Sequence, residues 1–184
     1  VRILIFGPPG AGKGTQAAVL SGELGVPHIS TGDLFRAHVD EGTELGRQVE
    51  QYLNSGALVP DEVTNEMVTQ RLAGGDCRTG FLLDGFPRTV SQARMFADLL
   101  RDLSCEIDVV LALDAPEDLV VQRLLARGRE DDSEDVIRRR QQLYREETAP
   151  LLDFYADRLI TVAAAGSVPE VTGRALDALR TRAR

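Results

Sequence analysis

The stretch "GPPGAGKGT", residues 7–15, follows the apolar run "RILIF" at 2–6. Gly7, Gly12 and Lys13 fit the pattern G-x-x-x-x-G-K of a phosphate-binding loop. The common form of that loop places Ser or Thr directly after the lysine, where its hydroxyl ligates magnesium. Here Gly14 holds that position, and the hydroxyl comes one residue later, at Thr15. A strand, a glycine-rich turn and a helix N-terminus aim several backbone N–H groups at one anion, and the helix dipole adds to them. A plain strand-to-helix turn would not explain three glycines, two prolines and a lysine within residues 7–13. The chain has twenty arginines and one lysine, and that lysine is Lys13. The compact ammonium thus occurs only where a phosphate loop uses one.

Around this loop the chain reads as one ordinary globular domain. It has 184 residues, 43% of them apolar and 27% charged. No run approaches the ~20 apolar residues that cross a bilayer, so no membrane partner is expected. "RILIFG" reads as a core strand, not as a signal peptide. Cys77 and Cys105 stand far apart with no CxxC or Cys/His cluster, so no structural zinc and a cytoplasmic location are expected. A net charge of −8 argues against non-specific binding of nucleic acid. It leaves room for small anionic ligands met by local positive charge.

Apolar runs alternate with helical patterns. Strands are expected at 2–6, 27–30, 80–84, 107–113 and 158–162. Helices are expected at 13–24, 31–42, 44–54, 61–73, 89–102, 116–127, 134–156 and 168–181. Near-continuous apolar strands separated by helices imply an α/β fold, a parallel sheet covered on both faces. The helices of 31–73 precede the third strand and form an insertion at one side of the sheet. "RGREDDSED", 127–135, breaks the helical pattern and suits a mobile flap.

Within "GFLLDGFPRT", 80–89, the buried strand ends in Asp84. A carboxylate at the C-terminal edge of a parallel sheet, beside a phosphate loop, can hold magnesium through its water shell. Capping the following helix is the alternative, but Thr89 can do that itself. Arg88 lies just beyond, in reach of a second anion. On the helix 134–156, at about 100° per residue, Arg140 falls inside the stripe of Val136, Ile137, Leu143 and Tyr144. An inward arginine is costly unless an anion meets it, or a buried partner such as Glu147 does. Arg123 and Arg127 share one helical face, and Arg129 follows in the flap. Arg174, Arg180, Arg182 and Arg184 read as solvated surface. In "HISTGDLFRAHV", 28–39, Thr31 and Asp33 can cap a helix, and Arg36 lies one turn past Gly32. His28 and His38 read as structural.

In order and spacing, "GPPGAGKGTQ", "STGDLFR", "GALVPDE", "LLDGFPRT" with Gln92, "RLLARGR" and "REDDSEDVIRRR" resemble the adenylate kinase family. The resemblance covers essentially the whole chain and is nearest to the short-lid bacterial form, because only a few residues separate Arg127 from Asp132. It implies a five-stranded parallel sheet of the P-loop nucleoside monophosphate kinase architecture. It implies one kinase domain, 1–184, with a helical AMP-binding insertion at about 30–59 and a short lid at about 126–136. The implied reaction is reversible transfer of the terminal phosphoryl group of magnesium-ATP to AMP, giving two ADP. By position, Gly10, Ala11, Gly12, Lys13, Gly14 and Thr15 would meet the ATP phosphates. Arg123 and Arg127 would clamp ATP, and Gly166 would offer its backbone to the adenine. Thr31, Arg36, Ala57, Leu58, Val59, Gly85, Phe86, Pro87, Arg88 and Gln92 would hold AMP. Lys13, Arg88, Arg129 and Arg140 would gather about the moving phosphoryl group, the last two also meeting AMP. Magnesium would be carried by phosphates and water, with Asp84 reaching it through water. That accounts for Gly14, which leaves the metal no direct protein hydroxyl. A monomer is expected. "AAAGSV", 163–168, departs from the more polar segment usual there, so adenine contacts at that point should be mostly backbone. A UMP/CMP kinase is the alternative within the class. A nucleotide-dependent switch is the alternative outside it, although a hydroxyl at position 14 and a water-positioning residue would then be expected.

Overall fold

Ile3 and Ile5 face one side of strand β1 (Arg2–Phe6), Leu4 and Phe6 face the other, and all four are buried. β1 is therefore an internal strand with helices on both faces. The computed structural model describes residues 1–129 and 133–182. Among these, β1 lies at the centre of a parallel sheet with β2 (His28–Ser30), β3 (Phe81–Asp84), β4 (Val109–Asp114) and β5 (Leu159–Ala163). The order is β2-β3-β1-β4-β5. The strand order switches at β1, with β3 on one side of it and β4 on the other, so a crevice opens beyond the C-terminal end of β1. The phosphate loop and Asp84 both start there.

One core lies between Ile3, Ile5, Leu82, Leu111 and the helices α1 (Lys13–Leu24), α6 (Glu117–Arg127) and α9 (Val168–Arg182). The other packs Leu4, Phe6, Leu83 and Val110 against α4 (Asp61–Leu72), α5 (Val90–Asp102) and α8 (Pro150–Phe154). The insertion, α2 (Thr31–Asp40) and α3 (Glu44–Ser55), has a small core of its own in Phe35, Val49, Val59 and Met67. A Cβ on Gly46 would stand 2.0 Å from the carbonyl oxygen of His38, so the two helices pack backbone against backbone.

Two local expectations are corrected. The helix expected over 134–156 is three pieces: α7 (Glu134–Leu143), a π-helical stretch at Tyr144–Thr148, and α8. Ala149 donates to the carbonyl of Tyr144, five residues back, at 2.8 Å. The extra residue turns the helix on its axis without ending it, so apolar periodicity reads through the join. The cap of α2 is neither Thr31 nor Asp33 but Ser30, whose hydroxyl accepts from the Asp33 N–H at 3.2 Å. Thr89 caps α5 as expected, accepting from the Gln92 N–H at 3.1 Å. Glu130, Asp131 and Asp132 of the expected flap lie outside the described residues.

Candidate active site

The site is a cleft of about 790 Å³ at the crevice. Its floor is the phosphate loop. A Cβ on Gly10 would sit 2.4 Å from the carbonyl oxygen of Val120, so only glycine lets the loop lie against α6. Gly12 holds φ +92° at the start of α1, which opens the first turn of that helix toward the cleft. Lys13 curls back, donating to the carbonyls of Gly7 at 2.8 Å and Pro8 at 3.1 Å. Loss of hydration lowers its pKa to about 8; Asp84 opposes that shift, and Arg88 and Arg127 add to it. Gln141 on α7 ties the loop down, donating to Pro9 O at 2.8 Å.

Asp84 ends β3 at the cleft wall and is only 8% exposed. Its Oδ2 would lie 3.7 Å from a Cβ on Gly14, so the carboxylate looks straight at the position where other phosphate loops carry a hydroxyl. Among the described residues no group of three or more His, Cys, Asp or Glu is gathered. One carboxylate with open space beside it fits a magnesium ion that arrives on nucleotide phosphates and keeps most of its water. His28 lies near, its Nε2 3.9 Å from Asp84 Oδ2.

Beyond Asp84 the wall turns cationic. Arg88 Nε donates to Gly85 O at 2.8 Å, and Thr31 Oγ1 donates to the same carbonyl at 2.9 Å. Burial lowers the Arg88 pKa, Asp84 opposes this, and the charges of Arg140 and Arg36 lower it further. Arg140 reaches Leu53 O at 3.4 Å, joining α7 to the end of α3. A Cβ on Gly56, just past α3, would be 3.0 Å from Val136 Cγ1 and 3.3 Å from Arg140 Cγ. The insertion therefore already touches α7 across the cleft. Arg36 pairs with Asp33 at 2.5 Å. Burial would raise the Asp33 carboxyl, but Arg36, the Ser30 hydroxyl and the charge of Arg129 hold it below its ordinary value. Arg127 thus acts on the Lys13 side of the cleft and Arg129 on the α2 side.

All the residues expected at the site line this one cleft except Phe86. Phe86 is fully buried and meets Phe96 edge-on, ring centroids 5.4 Å apart. Its side chain belongs to the core that supports Gly85 and Pro87. Gln92 is 2% exposed, and its amide is already oriented: Oε1 accepts from the Arg88 N–H at 2.7 Å, and Nε2 donates to Asp61 at 2.8 Å. One N–H and one lone pair remain for a ligand. Arg123 spans the other end, donating to Ala164 O at 3.0 Å and, at longer range, to Ala11 O at 3.4 Å and Gly166 O at 3.5 Å.

Several supporting residues had no reading in the sequence. Thr148, turned inward in the π-helical stretch, donates to Arg88 O at 2.9 Å. Gln16 donates to Val168 O at 3.1 Å and accepts from Thr172 at 2.8 Å, fastening the phosphate-loop helix to α9. Gln141 lies at about 140° from Val136 on the wheel that singled out Arg140, outside the apolar stripe, so the wheel does not mark it. Arg174, expected as solvated surface, instead bonds the backbone of 163–165. No local pattern announces it.

Residues 5–160 match the family model described as adenylate kinase. Curated relatives named adenylate kinase occur in Rhodococcus erythropolis and Corynebacterium glutamicum, each 55% identical over 179 residues, covering 97% of this chain and 99% of the relative. One from Nocardia farcinica is 56% identical over the same spans. With the model matched through most of the chain and these relatives more than half identical along nearly all of it, the chain belongs to the adenylate kinase family.

Proposed function

We propose that the protein moves the terminal phosphoryl group of magnesium-ATP reversibly onto AMP, yielding two ADP. The observation that carries this reading is the cationic convergence: in one cleft Lys13 feels the charges of Arg88 and Arg127, and Arg88 those of Arg140 and Arg36, while Asp84 offsets them for both Lys13 and Arg88. Phosphate anions entering such a gathering meet several cations at once. The relatives bearing the adenylate kinase name support the choice of nucleotides.

In this reading the chain works as one domain, 1–184, whose core carries a helical acceptor insertion at about 30–59 and a lid at about 126–136. The loop 10–15 with Arg123 and Arg127 holds the donor phosphates, and the Gly166 backbone meets the donor base. Thr31, Arg36, residues 57–59, 85–88 and Gln92 hold the acceptor. An acceptor phosphate oxygen is already a nucleophile, so no general base is required. The work is alignment of two phosphates in line, with Lys13, Arg88, Arg129 and Arg140 meeting the equatorial oxygens. Magnesium, when bound, neutralises charge on the donor phosphates, and Asp84 holds it through water. The contact of Gly56 with α7 narrows the acceptor side, which helps exclude the water that would otherwise take the phosphoryl group.

Acceptor choice follows from Gln92. Its remaining N–H and lone pair match the acceptor and donor that adjacent positions of adenine present. Asp61 and the Arg88 N–H stop the amide from turning over. Steady-state rates with AMP, CMP, UMP and GMP test this directly. AMP should exceed each of the others by about a hundredfold or more in kcat/KM. Gln92→Ala should erode the preference more than it slows turnover at saturating AMP. Comparable activity with CMP in the unmodified protein would move the reading to a UMP/CMP kinase.

A further inference from the structure

Residues 163–166, "AAAG", run from the end of β5 toward α9. No side chain there is larger than a methyl group, so whatever this turn offers a ligand must come from its backbone. Its carbonyls are shared between two arginines in alternation. Arg123, on the cleft side, takes Ala164 O and, at 3.5 Å, Gly166 O. Arg174, on α9, takes Ala163 O and, at 2.6 Å, Ala165 O. Gly166 adopts φ +112°, and a Cβ there would lie 3.0 Å from Arg174 Nη2 and 2.9 Å from Glu170 Oε2. Glu170 in turn accepts from the N–H and the hydroxyl of Ser167, each at 2.7 Å. The outer side of the turn is thus gripped by α9, and its inner side faces the cleft.

We propose that Arg174 is a positioning residue for the donor nucleotide. By holding the carbonyls of Ala163 and Ala165 outward, it keeps those of Ala164 and Gly166 directed into the cleft as acceptors for the exocyclic amino group of a 6-aminopurine. The inference rests on the reading that Gly166 meets the donor base. A fixed carbonyl favours an amino group and repels the 6-oxo group of guanine. The long bond from Arg123 to Gly166 O is one that such an amino group can replace. Fixing the turn before binding removes the ordering cost that a turn of three alanines and a glycine would otherwise impose on the ligand. Gly166→Ala would disturb the same grip from the opposite side.

Arg174→Gln keeps much of the side-chain length and removes the charged fork; Arg174→Lys keeps the charge but not the fork. The expected result for Arg174→Gln is a KM for ATP raised about tenfold, the size of a lost charge-assisted hydrogen bond. The KM for AMP and the kcat at saturating ATP should stay within about twofold. The ATP-over-GTP ratio of kcat/KM should narrow, with Arg174→Lys falling between. Should the glutamine variant melt below the assay temperature, the lysine variant carries the same comparison. An unchanged KM for ATP with an unchanged donor ratio overturns the proposal, as does an equal rise in the KM of both substrates. If the unmodified protein uses GTP as well as ATP, the assignment of Gly166 fails instead, and the KM for ATP in Arg174→Gln still reports whether Arg174 orders the turn.

Discussion

Lys13 shows how one residue combines a structural cost with a functional role. Burial lowers its pKa to about 8 from an ordinary 10.5. The charged lysine is therefore a full cost to folding below about pH 8. Between about pH 8 and 10.5 the unfolded chain binds more protons than the folded one, so this residue's contribution to stability rises with pH across that window. Bound phosphates reverse the balance by favouring the ammonium. ATP binding at about pH 8.5 should then take up a fraction of a proton per nucleotide. Calorimetric binding enthalpies in buffers of different ionisation heat measure that uptake, and a slope of zero would contradict it. At this scale the sequence was informative where chemistry is local. Lys13, Asp84 and Arg88 sit in short motifs whose residue types explain themselves. Gln141, Thr148 and Asp61 were not legible, because their partners are distant in the chain: Pro9 is 132 residues from Gln141, Arg88 is 60 from Thr148, and Gln92 is 31 from Asp61. The carbonyls that Arg174 bonds are near in the chain, but a run of alanines does not mark them as partners.

Elements present each of these residues at a set angle. Strand positions followed from unbroken apolar runs, and helix starts from caps such as Thr89. The π-helical stretch escaped notice because one extra residue leaves an apolar stripe almost intact while rotating Thr148 toward Arg88. The α2–α3 pair depends on backbone contact at Gly46, and the side of the cleft lined by Arg36 and Leu53, proposed above to take the acceptor, depends on that pair. Gly46→Ala must push the helices apart, at a cost of about 1–3 kcal/mol. The melting temperature should fall by roughly 3–10 °C. The KM for AMP should rise several-fold while the KM for ATP stays near its original value, because the phosphate loop stands on the other elements. Steady-state kinetics and thermal melts read both effects. An unchanged melting temperature would mean that α2 and α3 separate without cost, and a matching rise in both KM values would mean that the insertion is not a separate acceptor unit.

The whole molecule carries a net charge of −8 yet concentrates cations in one cleft. They arrive from separate places: Lys13 from the phosphate loop, Arg36 from α2, Arg88 after β3, Arg127 at the end of α6, Arg140 from α7. The alternation of strands and helices was enough to expect a parallel sheet. The strand order was not readable from periodicity, since every internal strand is equally apolar. It is this order that puts the loop after β1 next to Asp84 at the end of β3. The resemblance in ordered motifs supplied what periodicity lacked, and the cleft assembled from those motifs is the physical content of that resemblance. On the proposed reading, in which two phosphorylated ligands react in line, the reaction should run in both directions without loss of phosphate. Phosphorus NMR of magnesium-containing mixtures is the most direct measurement. Started from ATP plus AMP, or from ADP alone, the two reactions should converge on the same proportions of ATP, ADP and AMP with no inorganic phosphate. Release of inorganic phosphate from ATP while AMP stays constant, or failure of ADP alone to yield ATP and AMP, would contradict the account.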